Sequence, residues 1–113
     1  MNCIFCKIAN HEIPSNIVFE NENVIAFEDL NPVAKVHVLV VPKNHIESVM
    51  KVEEGDLAYI SEIHKAIKEV AKIKGINESG FRVITNVGED GGQTVKHLHY
   101  HVIGGEKLSE KIV

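Results

Sequence analysis

Positive charge is in short supply: 12 Lys and Arg stand against 16 Asp and Glu, for a formal net charge of −4 at pH 7. That balance argues against a general nucleic-acid binder, whose affinity rests on a broad basic surface. Any phosphate held by this chain must be held locally, by backbone N–H groups, hydroxyls and imidazoles. No apolar run approaches the ~20 residues that a transmembrane helix needs, so no membrane partner is expected. The start of the chain does not resemble a signal peptide, because Ile4-Phe5 is followed at once by Cys6-Lys7. The cytoplasm is the expected compartment. Repeats, low-complexity segments and linkers are absent too, and 113 residues suit one compact domain, 1–113. With 44% hydrophobic and 25% charged residues the chain reads as an ordinary globular protein. Only histidine is in surplus. There are seven, three of them between positions 97 and 101.

The order along the chain is strands, one long helix, then strands. Ile17-Val18-Phe19 and Val24-Ile25-Ala26-Phe27 are β-favouring runs separated by the polar segment 20–23, which predicts a hairpin. Asp29-Leu30-Asn31-Pro32 is turn chemistry. Val36 to Val41 reads as a buried strand closed by Pro42, with His37 its one polar intruder. From Leu57 the apolar residues Ile60, Ile63, Ile67, Val70 and Ala71 recur at helical spacing, and Gly75 is the expected stop. A short helix is expected over Cys3 to Ala9. Phe81 to Ile84 reads as a strand, 86–94 as a loop, and Val95 to Ile103 as the last strand. The expected class is α+β, an antiparallel sheet with one long helix and a short N-terminal one.

The strongest signal is His97-Leu98-His99-Tyr100-His101-Val102-Ile103. Alternation on a strand places His97, His99 and His101 on one face and Leu98, Tyr100 and Val102 on the packed face. Three imidazoles make a poor core stripe, because each carries two ring nitrogens that need partners when buried. Just before them lies the glycine-rich run 88–94. There Gly91 and Gly92 let the backbone approach a ligand and aim N–H groups into an anion-binding concavity, while Gln93 adds an amide and Thr94 a hydroxyl. A neutral imidazole with one nitrogen held as N–H by a carbonyl presents the other as a nucleophile near pH 7. Attack on a nucleotide's α-phosphorus would give a covalent phosphorus–nitrogen intermediate that water resolves. Backbone N–H groups, Thr94 and His101 would meet the developing charge. That step calls for no metal. His64, on the long helix, and His11, in a polar loop, carry no expected role, and Tyr100 is expected in the core.

The run from His97 to Ile103 matches the His-φ-His-φ-His-φ-φ signature (φ apolar) of histidine-triad (HIT) proteins, and the Gly91 to Val95 segment before it resembles the Hint branch. The likeness extends to Ile4-Phe5, Glu12-Ile13-Pro14, 26–29, 37–43 and Asn86. The resemblance implies a HIT-like fold whose sheets join across a homodimer, and cleavage of purine nucleoside 5′-phosphoramidates such as adenosine 5′-phosphoramidate. It implies that His99 carries the nucleotidyl group, with His101 contacting phosphate and His37 supporting the nucleophile. By the same resemblance Asp29 is the ribose-binding acid, Leu30 lies beside the nucleoside, and Asn86, Gln93 and Thr94 contact phosphate, with Gly92 in the same loop. The segment from Gly104 to Val113 lacks the aromatic extension of some Hint relatives, which leaves the leaving-group amine open. A dinucleoside polyphosphate hydrolase of the Fhit type is the nearest alternative enzyme. A nucleotidyltransferase and a nucleotide- or partner-binding regulatory module are others.

Cys3-Ile4-Phe5-Cys6 is a Cys-x-x-Cys pair that favours metal or redox chemistry over a disulfide in a cytoplasmic protein. The βαβ context of a thioredoxin-like redox pair is missing. A structural zinc needs two further ligands, for which His45 and His97 are the candidates. Some bacterial histidine-triad proteins and the galactose-1-phosphate uridylyltransferases show a similar pattern. The alternative is a pair of reduced, partly buried cysteines acting as small hydrophobes.

Overall fold

The computed structural model describes residues 3–111. Helix α1 (Ile4–Ala9) is followed by strands β1 (Ile17–Glu20), β2 (Val24–Glu28) and β3 (Val36–Pro42), helix α2 (Leu57–Ile73), and strands β4 (Phe81–Ile84) and β5 (Tyr100–Gly104). The five strands form one sheet of order β1-β2-β3-β5-β4, and every neighbouring pair is antiparallel. This is the α+β arrangement expected from the sequence.

Both helices form for local reasons. Leu57–Ile73 turns Ile63, Ala66, Ile67, Val70 and Ala71 inward along one stripe. It ends where the Gly75 N–H bonds to the Lys72 carbonyl and the Ile76 N–H to the Ala71 carbonyl. Gly75 takes φ 70° there, the left-handed cap that glycine adopts without a Cβ penalty. α1 is capped by Cys3, whose Sγ accepts from the Cys6 N–H at 3.4 Å. In the β1–β2 turn the Asn21 side chain accepts from the N–H groups of Asn23 and Val24, an Asx turn. Two short 3₁₀ turns, Val49–Lys51 and Glu54–Asp56, lead into α2 and are unmarked in the apolar pattern.

Alternation along the strands divides the interior in two. Val24, Ala26, Val38, Val40 and Val102 face α2 and pack with Ile63, Ala66, Val70 and Leu98. Ile25, Phe27, Leu39 and Val41 face the other way and pack with Phe5, Ile8 and Ala9 of α1. The central strands are therefore covered on both faces, and it is the second layer that meets the histidines.

The last strand differs from expectation: it begins at Tyr100, not near Val95. Val40 pairs with Tyr100, and continuing that register would bring Pro42 opposite Leu98. Pro42 has no N–H to extend the ladder, and the Leu98 N–H turns instead to the Ile46 carbonyl at 2.6 Å. The alternation of side chains survives the break. Leu98 and Val102 enter the α2 layer, with Tyr100 packed against it, while the three histidines point to the opposite side.

Candidate active site

On the α1 side of the sheet lies a cleft of about 290 Å³ lined by residues that include Phe5, Ile8, Phe27, Asp29, Leu30, Thr94, Val95, His99 and His101. Its apolar wall is α1 together with Phe27 and Leu39, a surface suited to a flat, weakly polar ligand. Leu30 stands at the rim, 89% exposed.

At the polar end each imidazole has one nitrogen committed, which fixes what the other can do. His99 is buried, and its Nδ1 lies 2.7 Å from the His97 carbonyl. A carbonyl only accepts, so Nδ1 carries the proton and Nε2 is the bare, nucleophilic nitrogen. The His99 carbonyl accepts the Thr85 hydroxyl at 2.8 Å, and Phe5 packs edge-on against the ring with centroids 5.0 Å apart. Together these fix both the main chain and the ring.

A second chain of bonds sets His101. The Val33 N–H donates to His37 Nδ1 at 3.1 Å, so the His37 proton sits on Nε2. That Nε2 lies 2.9 Å from His101 Nδ1, which must accept. His101 therefore holds its proton on Nε2 and is a hydrogen-bond donor. His37 also lies 3.4 Å from the Asp29 carboxylate. The resemblance implies that His37 supports the nucleophile; in the structure it bonds directly to His101, whose ring packs against that of His99 with centroids 5.2 Å apart. Asp29, His37 and His101 cluster tightly enough to suggest a metal site, but a protonated Nε2 at the centre of the three is a donor, not a ligand.

Burial, with His99 and His37 close by, pushes the His101 ring down to about 4. His37 is likewise lowered by burial, with Asp29 acting in the opposite sense. Both rings are neutral near pH 7, as the hydrogen bonds require. The native His101 takes up a proton at lower pH than the unfolded chain, whose imidazole titrates near 6.5. Stability is therefore complete above about pH 6.5 and falls as pH drops toward about 4. Thermal melts across that window should show the decline, and His101→Asn should show a shallower one. An equal slope in both proteins would contradict it.

The glycine-rich loop divides its labour. Thr94 reaches the cleft. Gln93 is spent on the loop itself: its oxygen accepts the Gly88 N–H, and its NH₂ donates to the Glu47 and Val95 carbonyls. Asn86 donates to the Gly91 carbonyl at 2.7 Å. Gly92 sits in the turn at φ 77°. A Cβ on Gly91 would run into the Val87 carbonyl, so that glycine is needed for close backbone packing. Asn86, Gly92 and Gln93 thus shape the loop beside the cleft and do not form its wall. Phe5 and Val33 were not singled out chemically from sequence. Phe5 fell within the Ile4-Phe5 likeness, but nothing local marks the Val33 N–H. Nor does His11 stand free: its Nε2 meets Glu20 at 2.8 Å, and Glu20 also pairs with Lys43 at 2.6 Å.

Beneath His99, Cys3, Cys6, His45 and His97 converge. Cys3 Sγ lies 3.4 Å from His97 Nδ1, Cys6 Sγ 3.3 Å from His45 Nδ1, and Cys6 Sγ 3.6 Å from His97 Nδ1. Tetrahedral zinc with ordinary Zn–S and Zn–N bonds would space sulfur and nitrogen by about 3.5 Å. His97 Nε2 donates to the Pro42 carbonyl at 2.8 Å, leaving Nδ1 bare, the outer-sphere arrangement typical of a ligating histidine. The donor set fits zinc. Burial and the adjacent Cys3 push the Cys6 thiol up to about 11, and burial takes His97 down to about 4.

The family described as "Scavenger mRNA decapping enzyme C-term binding" matches residues 2–112 of the chain. Protein HitA of Neisseria gonorrhoeae is 40% identical over 103 residues, covering 91% of this chain and 95% of its own. Among solved structures, a histidine triad protein from Clostridium difficile is 54% identical with a TM-score of 0.95, covering 99% of this chain and 97% of that one. A HIT family hydrolase from Legionella pneumophila is 41% identical with a TM-score of 0.93, covering 96% and 97%. The chain belongs to the histidine-triad family. Among the described residues no helix is long and apolar enough to cross a membrane.

Proposed function

We propose that the protein hydrolyses purine nucleoside 5′-phosphoramidates through a nucleotidyl group carried on His99. The observation that carries this reading is the 2.7 Å bond from His99 Nδ1 to the His97 carbonyl, which leaves Nε2 bare at the cleft. The family relationship supports it, since the similar proteins include a HIT family hydrolase and a histidine triad nucleotide-binding protein from Candida albicans. The base lies between Phe5, Ile8, Phe27 and Leu39, the ribose meets Asp29, and the phosphate sits near Thr94. His99 Nε2 forms a bond to the α-phosphorus as the P–N bond to the amine breaks, and the amine leaves with a proton taken from water. His101 Nε2–H meets the charge on the phosphoryl oxygen. Water then attacks phosphorus, releasing the nucleoside monophosphate and restoring His99. Intact mass spectrometry after brief mixing with adenosine 5′-phosphoramidate tests it directly: the chain should gain one adenylyl group. Hydrolysis with no adduct at any mixing time would oppose the covalent route.

The Cys3, Cys6, His45 and His97 set is proposed to hold a structural zinc, which when bound would cross-link α1 to the segments after β3 and before β5. It takes no part in the reaction.

Homodimerisation is also proposed, through the β4 edge of the sheet and the neighbouring face of α2. There Val83 is 43% exposed beside a groove lined by Ser61, His64, Ile67 and Phe81. A two-fold pairing at this edge would cover strand groups that otherwise remain open to other chains. Sedimentation at micromolar concentration should show about twice 12.6 kDa. A monomer at that concentration would exclude the pairing.

A further inference from the structure

The two cysteines of the chain face each other across the first turn of α1. Cys3 caps the helix, and the Cys6 N–H donates to its sulfur at 3.4 Å. Residues three apart on a helix are neighbours, within the Cα separation that a disulfide spans. Both Sγ atoms belong to a set whose members all lie within 4.8 Å of one another, so side-chain rotation suffices to join them. Cys3, otherwise buried, lines an open cavity of about 440 Å³ together with His45, Glu47 and Lys96. A small solute reaches its sulfur from there.

A sulfur in a disulfide has neither a proton to donate nor the charge to hold a metal. Closure would take Cys3 from His97 Nδ1 and Cys6 from His45 Nδ1, contacts of 3.4 and 3.3 Å that tie α1 to the segments after β3 and before β5. His97, fully buried, would keep a bare nitrogen with no partner. A disulfide stabilises by closing a loop in the unfolded chain, and a loop from Cys3 to Cys6 is too short to offset that loss. Phe5 lies between the two cysteines, with its ring centroid 5.5 Å from that of Phe27 and 5.0 Å from that of His99. Whatever loosens this turn loosens the apolar wall of the cleft.

We propose that Cys3 and Cys6 form a reversible oxidation site: a peroxide joins their sulfurs across the first turn of α1, which releases α1 from His45 and His97. Cys3 Sγ bonds to one peroxide oxygen, the O–O bond breaks, and the other oxygen leaves as water with the thiol proton. Cys6 Sγ then bonds to Cys3 Sγ and displaces the hydroxyl, which leaves as water with the Cys6 proton. Two thiols are oxidised and one peroxide is reduced to two waters; a dithiol reductant reverses the change by exchange. Cys3 reacts first, because it faces the cavity and burial keeps Cys6 protonated. The pair is the one proposed above to hold zinc, and closure releases any zinc bound there.

The test exposes the protein as purified to hydrogen peroxide, alkylates the remaining thiols and digests it with trypsin. Residues 1–7 form one peptide that holds both cysteines. After peroxide it should carry no alkyl group and be lighter by two hydrogens, and dithiothreitol should restore both thiols. A chromophoric chelator should detect one zinc released for each bond closed. The melting temperature should fall by roughly 5 °C or more, contrary to the usual effect of a disulfide, and AMP should bind about fivefold more weakly. Cys6→Ser, which cannot close the bond, should melt at the same temperature before and after treatment. Thiols that stay open to alkylation, or that go only to irreversible oxyacids, overturn the site, as does a 1–7 peptide linked to a second copy. A melting temperature that rises on closure, or falls equally in Cys6→Ser, overturns the release of α1. A protein purified without zinc that still closes the bond upholds the site and removes the metal from it. The peptide masses and melts decide these points whether or not a phosphoramidate is turned over.

Discussion

His99→Ala should lower turnover of adenosine 5′-phosphoramidate by roughly 10⁴-fold or more, because the variant lacks the nitrogen proposed to bond to phosphorus. The loss differs in kind from that of a stabilising group. Thr94→Ala or His101→Ala removes one donor and should cost ~10²–10³, with an adduct still forming on His99. Nucleotide binding should survive in His99→Ala, since the apolar wall, Asp29 and Thr94 are untouched. Phe5 packs on the ring at 5.0 Å, so truncation leaves a small void, and His99→Asn serves as the better-filled second variant. Rapid-quench kinetics with mass spectrometry of the protein reads both rate and adduct. The mechanism is falsified if either variant still becomes adenylylated or turns over near the wild-type rate.

Much of this site was legible in the sequence, because its chemistry sits on features with a strong local signature. Alternation alone put His97, His99 and His101 on one side and Leu98 and Val102 in the core, even though the ladder does not begin until Tyr100. The period of α2 and the stop at Gly75 were equally plain. What escaped depends on groups far apart in the chain. The break before β5 follows from Pro42 and from a bond between Leu98 and Ile46, neither of which is visible within 95–103. Gln93 looks like a ligand-facing amide, but its use is set by the Glu47 carbonyl, 46 residues away. The direct partner of His37 is set in the same way. Resemblance assigns a role to a residue type, whereas the choice between His99 and His101 is made by the register that sets Leu39 against His101.

With the proposed zinc in place, Cys3→Ser should lose it and lower the melting temperature. Cys3 is buried and faces His97, so the substitution opens the proposed metal site, while the serine hydroxyl can still accept the Cys6 N–H that the sulfur now accepts at the start of α1. A cost of about 3 kcal/mol is expected from a lost metal ligand with buried partners left unpaired. For a domain of this size that corresponds to roughly 10 °C in Tm. The purified wild type should carry about one zinc per chain by elemental analysis, and the variant almost none. His99 should still accept an adenylyl group at temperatures where the variant is folded. A metal-free wild type of the same stability would remove zinc from the account.

His97 serves two masters with two different parts. Its ring belongs to the cysteine cluster, and its carbonyl holds His99. Only the ring is written in the genetic code at that position, because every amino acid supplies a carbonyl. The same holds for Val33, whose contribution to His37 is a main-chain N–H that any residue except proline would provide. The protonation pattern of the reaction centre is thus specified by the path of the backbone, and codons 33 and 97 can drift without rewriting it so long as that path is kept. A lineage could exchange or abandon its cysteine cluster gradually, one ligand at a time, with the reactive nitrogen of His99 still facing the cleft.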